Sequence, residues 1–233
     1  MIFLYHARLV ILSQPKTGTT ALDNALAPRA SIVINNPPQL KHTQYHKFMR
    51  LVAPWLKAQV GLDRSDYEVV SVMREPVDWV GSWYRYRTRD ALKGGGGKKQ
   101  RGNYAGNVSF EEFVHEVLKP KAERQSFAYL GSPCSVALDE NGGVGCDRIY
   151  PYEDLSGLYE LIEARTKKPV ELSQMNVSPA GDTTVSDETR AKLRAQWSFA
   201  FDLHDSLKRD GSLDPRFKAA GQVQESDEDE EVA

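Results

Sequence analysis

The chain has 233 residues, 30 basic and 32 acidic side chains and a formal net charge of −2, which suits one α/β domain with a substantial core and leaves little room for a second. No apolar stretch reaches the roughly 20 residues of a membrane span. Two cysteines with no second pair and no nearby histidine exclude a zinc ribbon.

Met1 to Leu12 carries no basic n-region and no small-residue cleavage site, so it reads as the first strand, near 7–13, and not as a signal peptide. The apolar run Leu9, Val10, Ile11, Leu12 leads directly into Ser13-Gln-Pro-Lys-Thr-Gly-Thr-Thr20. This pattern predicts a buried strand, a tight turn built on Pro15 and Gly18, and a helix from Thr19 to Ala27. The first N–H groups of such a helix lack intrahelical partners, and the helix dipole adds partial positive charge. With Lys16 as a full cation and Thr17, Thr19 and Thr20 as hydroxyl donors, the loop is an anion cradle suited to a phosphate. It is not a Walker A loop, because the lysine precedes the only glycine by two positions and no Gly-Lys pair exists in the loop.

Further strands are expected near 31–34, 67–73 and 144–150. Helices are expected near 43–59, 76–89, 109–119, 153–166 and 186–209. Strand–helix alternation implies a parallel sheet with helices on both faces, its ligands bound beyond the carboxyl ends of the strands. Tyr67-Glu-Val-Val-Ser-Val-Met73 ends at Arg74, followed by Glu75 and Pro76, a proline suited to the first turn of a helix. Ser82 lies eight residues after Arg74, about two turns into that helix. Ser109 with Glu112 matches a capping box ahead of Phe110, Phe113, Val114 and Val117. Cys134 and Cys146 flank Asp139-Glu-Asn-Gly-Gly143, which reads as a hairpin placing two reduced strand cysteines opposite each other. Leu193, Trp197, Phe201 and Leu203 read as a core stripe on the last helix.

Two charged segments stand apart. Arg85 to Arg101 holds seven basic residues and one acid, and includes Gly94 to Gly97. It reads as a solvated loop over about 90–107, with a lid over bound nucleotide as the alternative. Nucleic-acid binding ranks low for a single basic loop. The last ten residues hold six acidic and no basic groups, which leaves the rest of the chain at +4. Residues 221–233 are therefore expected to form a disordered, solubilising tail, with an autoinhibitory strap as the alternative.

The Pro15-Lys-Thr-Gly-Thr-Thr20 spacing, with Arg74 and Ser82 each following a predicted strand, resembles the sulfotransferases that use 3′-phosphoadenosine 5′-phosphosulfate (PAPS). The short length is more similar to bacterial relatives of the Golgi carbohydrate enzymes than to the larger cytosolic phenol and steroid enzymes. The likeness is weaker at Tyr150-Pro-Tyr-Glu-Asp-Leu155 and weaker still at Asn176-Val-Ser178. It implies a single domain over 1–220 with a P-loop-like central parallel sheet flanked by helices on both faces. It further implies a 5′-phosphosulfate loop formed by Pro15, Lys16, Thr17, Gly18, Thr19 and Thr20, and a 3′-phosphate site formed by Arg74 and Ser82. Lys16 would neutralise the bridging oxygen, and no metal is required.

A base is also needed. His42, in the loop after the second predicted strand, is the candidate, with a capping or surface role as its alternative. Glu153 is the rival, though more readily structural. His42 and His46 lie four apart without the glutamate of a zinc motif, so a metal site is discounted. Trp79, Trp83, Tyr84 and Tyr86 suit either a stacked acceptor ring or the core. The expected acceptor is a carbohydrate, lipid or small metabolite bearing a hydroxyl or amine, and the expected location is the cytoplasm. The competing readings are a P-loop ATP-dependent kinase and a non-catalytic nucleotide-binding protein.

Overall fold

A computed structural model describes residues 1–94, 102–171 and 182–218. Most of the glycine run, Asn176-Val-Ser178 and the acidic tail lie outside these residues. Five strands, β1 (Ile2–Leu4), β2 (Leu9–Leu12), β3 (Ile32–Val33), β4 (Glu68–Met73) and β5 (Arg148–Pro151), form one sheet in the order β3-β1-β2-β4-β5. β2, β4 and β5 run parallel, whereas β1 is antiparallel to both β2 and β3. The sheet is thus mixed and not wholly parallel. The expected single first strand is a hairpin: Tyr5 to Arg8 turn the chain, with Arg8 in the left-handed region at φ 50 and its N–H donating to the Tyr5 carbonyl. The segment Met1–Leu4 is as deeply buried as Leu9–Leu12, so pairing the two hides both runs.

Alternation along the strands sorts the core. Phe3, Val10, Leu12, Val69, Met73 and Ile149 join one cluster with Phe48, Leu56 and Leu203. Ile2, Leu4, Leu9, Ile11, Val70, Val72 and Tyr150 join another with Leu22, Leu26, Leu158 and Ile162. The longer helices are α1 (Thr19–Leu26), α2 (Ala53–Val60), α3 (Pro76–Arg87), α4 (Phe110–Leu118), α5 (Ser156–Thr166), α6 (Asp187–Gln196) and α7 (Ser198–Asp205). The region expected as one helix over 43–59 comprises Tyr45–Lys47, a π-helical segment Phe48–Val52 and α2. The last predicted helix is also divided, at Trp197, whose φ −118 and ψ 37 are not helical. The break lets Leu193 and Phe201 enter the cluster around Trp79, while Ala200 and Leu203 enter the first cluster. One straight stripe would not serve both.

The cysteines correct another expectation. Ala137 pairs with Gly145, and Leu138 with Val144, around the Asp139–Gly143 turn. Cys134 lies in the turns before this pairing, so it does not face Cys146 across a hairpin. Both thiols are free and buried. Among the described residues, no helix is long and apolar enough to cross a membrane.

α4 starts as its sequence dictates: the Ser109 hydroxyl accepts from the Glu112 N–H at 3.2 Å and the Glu112 carboxylate accepts from the Ser109 N–H at 2.7 Å. Ser109→Ala is expected to remove about 1 kcal/mol of stability, lowering the melting temperature by about 2–4 °C in a thermal denaturation scan. An unchanged melting temperature would show that the box contributes nothing.

Candidate functional site

β2 and β4 are parallel neighbours, so the loops leaving their carboxyl ends lie side by side. The loop after β2 reaches α1 through two left-handed residues, Lys16 and Gly18, each at φ 67. Gly18 is demanded twice, by its φ and by Tyr152, whose ring carbon would lie 3.2 Å from an added Cβ. Lys16 adopts a conformation that lysine rarely takes, and several bonds hold it there. The Trp79 indole N–H donates to the Pro15 carbonyl at 2.9 Å, and the Arg74 guanidinium donates to the Lys16 carbonyl at 3.3 Å. The Gln14 amide donates to the Ser132 carbonyl and accepts from the Val136 N–H, each at 3.1 Å.

The cradle hydroxyls divide. Thr17 is buried and donates to the Gln14 carbonyl at 2.8 Å, so its hydroxyl closes the loop from within. Thr19, also buried, and the exposed Thr20 open α1. Thr20 accepts from the Lys41 ammonium at 3.1 Å, and Lys41 also pairs with Asp23 at 3.0 Å.

Arg74, at the end of β4, is oriented on three sides. Its Nε donates to Asp78 at 2.5 Å, its terminal nitrogen meets Lys16, and its guanidinium lies 4.5 Å from the Tyr152 ring centroid. Asp78 also approaches Arg85 at 3.5 Å. Asp78, Trp79, Ser82, Trp83 and Tyr86 recur on α3 at three- and four-residue intervals, forming one stripe. Ser82 is buried within it. Trp79 belongs to the core, and the Tyr84 hydroxyl donates to the Val108 carbonyl. The Lys16 ammonium instead lies against the rings of Tyr86 and Trp83. Burial pushes its pKa down to about 8, helped by the positive charges of Arg89, Arg74, Arg87 and Arg85.

His42 is tied to the first residue of the cradle, its Nδ1 lying 2.7 Å from the Ser13 carbonyl. A carbonyl only accepts, so Nδ1 carries the hydrogen and the neutral ring keeps its lone pair on Nε2. Burial lowers the His42 pKa, against the opposing Ser13 bond, and the Lys41 charge lowers it further. Glu153 accepts from the Glu75 N–H at 2.9 Å and lies 3.2 Å from His204. Burial favours its neutral form, but these hydrogen bonds prevail and lower its pKa. Among the described residues, no three His, Cys, Asp or Glu side chains cluster as metal ligands.

The cationic site does not coincide with the cavity of about 500 Å³ lined by Tyr84, Arg85, Tyr104, Phe110, Glu111 and Asp182 among others. No residue of the cradle lines that cavity. Arg85 lines it and also approaches Asp78 of the site. Charge and backbone geometry are therefore the better guide to a candidate anion site. Sequence reasoning missed Asp78, Tyr152 and Lys41. Asp78 had a signal in its i,i+4 spacing from Arg74, and Tyr152 in the Tyr150–Leu155 string at the end of a predicted strand. No protein-family model matches the chain, and no curated protein matches it.

A partly desolvated ammonium carries a stability signature. A lysine with a folded-state pKa near 8 is protonated at neutral pH at a cost, which disappears as pH rises from about 8 towards its ordinary value of 10.5. Lys16→Met is therefore expected to melt several degrees above the parent at pH 7, with the gap closing towards pH 10. A melting temperature at or below the parent's at pH 7, or a gap that ignores pH, would contradict the desolvated charge.

Proposed function

We propose that the chain is a PAPS-dependent sulfotransferase with a P-loop-like α/β fold, acting on a hydroxyl or amine. The reading rests chiefly on one contact, the Arg74 guanidinium donating to the Lys16 carbonyl at 3.3 Å. Two anion-binding elements from adjacent parallel strands thereby abut, as one adenosine bearing both a 5′-phosphosulfate and a 3′-phosphate requires.

In this reading Lys16, the loop N–H groups, Thr19 and Thr20 serve the phosphosulfate, while Arg74 and Ser82 serve the 3′-phosphate. The acceptor atom bonds to sulfur as the bond from sulfur to the bridging phosphate oxygen breaks. Lys16 neutralises the charge that develops on that oxygen, and His42 takes the acceptor's proton on Nε2. The lowered His42 pKa keeps this ring neutral near pH 7. Catalysis then consists mainly of positioning and preorganised charge.

A thermal-shift panel tests the reading. A nucleotide at 100 times its Kd adds about 2.7 kcal/mol, so 3′-phosphoadenosine 5′-phosphate is expected to raise the melting temperature by about 5–10 °C. ADP and ATP–magnesium should give little. The reverse order would favour the kinase and overturn the proposal.

Variants separate the roles. Arg74→Ala is expected to weaken 3′-phosphoadenosine 5′-phosphate about 10- to 100-fold, measured by calorimetry. His42→Asn should leave that affinity intact while slowing conversion of PAPS to product, with water as acceptor, by about 10²–10⁴-fold. Unaltered turnover in His42→Asn would remove it as the base.

A further inference from the structure

The Lys16 ammonium lies 4.2 Å from the Tyr86 ring centroid and 5.3 Å from that of Trp83. The two rings meet edge to face, centroids 5.9 Å apart and planes at 85°, so they offer differently oriented π surfaces to one cation. The same pair also carries Arg87, 5.2 Å from Trp83, and Arg89, 5.3 Å from Tyr86. The acid on this stripe, Asp78, is engaged by Arg74 and Arg85. Lys16 has no carboxylate partner among the described residues.

An ammonium over an aromatic face is stabilised by the ring quadrupole, more strongly where water is excluded. Unlike a carboxylate, the ring places no negative charge in the path of an anionic ligand. We propose that Tyr86 and Trp83 are positioning residues for Lys16: their faces hold its ammonium beside the cradle with no ion pair for an arriving donor to displace. This rests on the sulfuryl-transfer reading and adds the device that keeps its cation available. The charged groups acting on Lys16 are Arg74 at the end of β4, Arg85 and Arg87 on α3, and Arg89 just beyond, all positive. An incoming dianion therefore meets several positive charges, of which Asp78 offsets part at Arg74 and Arg85. Its affinity should fall as pH rises through the Lys16 titration, where that charge is lost.

Tyr86 is half-buried, which makes it the safer residue to change. Tyr86→Phe keeps the face. Tyr86→Leu removes it but retains apolar bulk, so desolvation persists and the ammonium loses support. Two measurements follow. The Lys16 titration in ligand-free protein is read by NMR of the lysine side chains, assigned with Lys16→Met. The affinity of 3′-phosphoadenosine 5′-phosphate is read by calorimetry across the same pH range.

The Phe variant should match the parent in both. The Leu variant should titrate at lower pH, bind about tenfold more weakly near neutral pH, and lose affinity earlier as pH rises. If Leu and Phe variants agree in both measurements, the aromatic shelf is wrong, even where the nucleotide binds the parent well. If the parent does not bind the nucleotide while the Lys16 titration still follows the ring, the shelf stands and the sulfotransferase reading falls.

Discussion

The cradle keeps its shape because its carbonyls are occupied from outside. Trp79 caps the Pro15 carbonyl and Arg74 caps that of Lys16. In a trans peptide the N–H points opposite to the C=O. Securing these two carbonyls therefore turns the N–H groups of Lys16 and Thr17 the other way. Gln14 fixes the loop's origin against the 132–136 segment, and Gly18 lets the chain pass beneath Tyr152. Remove these clamps and a lysine in the left-handed region would relax, taking the geometry proposed for anion binding with it.

This arrangement sets stability against binding. Lys16, Arg74, Arg85, Arg87 and Arg89 gather around the same helix, and Asp78 serves two of them. Arg87 is buried with its Nε lacking a hydrogen-bond partner among the described residues, and burial lowers its pKa as it does that of Lys16. Desolvated like charges oppose folding, and the aromatic rings offset only part of that opposition. Such tension concentrates at sites built to receive a charge of the other sign.

Much of this was legible in the sequence, and the gaps have physical causes. The run Leu9–Leu12, the Pro-Lys-Thr-Gly step and Arg74 after Met73 are local signals, and the elements they mark formed where expected. Ser109 and Glu112 capped α4 as a sequence-local device should. The β1–β2 turn was hidden because Tyr5 to Arg8 contain neither glycine nor proline, so nothing marked the reversal. The break at Trp197 was hidden for the same reason. It is set by which clusters Leu193, Ala200, Phe201 and Leu203 must reach, a tertiary demand. The site divided similarly: Arg74 and Lys16 follow from strand ends, whereas the Thr17 hydroxyl turning inward and the Tyr86 contact depend on three-dimensional neighbours.

The stripe on α3 has one mechanical consequence. Trp79, which clamps the cradle, Asp78, which orients Arg74, and Trp83 and Tyr86, which shelve Lys16, ride together on a helix of 12 residues. Their displacements are therefore correlated: a roll or tilt of this rod shifts Asp78, Trp79, Trp83 and Tyr86 in concert, leaving their mutual spacing intact. At its leading end, Glu75 is pinned by Arg190 of α6, and its N–H by Glu153. Arg190 of α6 and Glu153 in the turn after β5 thus act as the brake on a single lever, and misalignment there would detune the whole constellation rather than any one of its members.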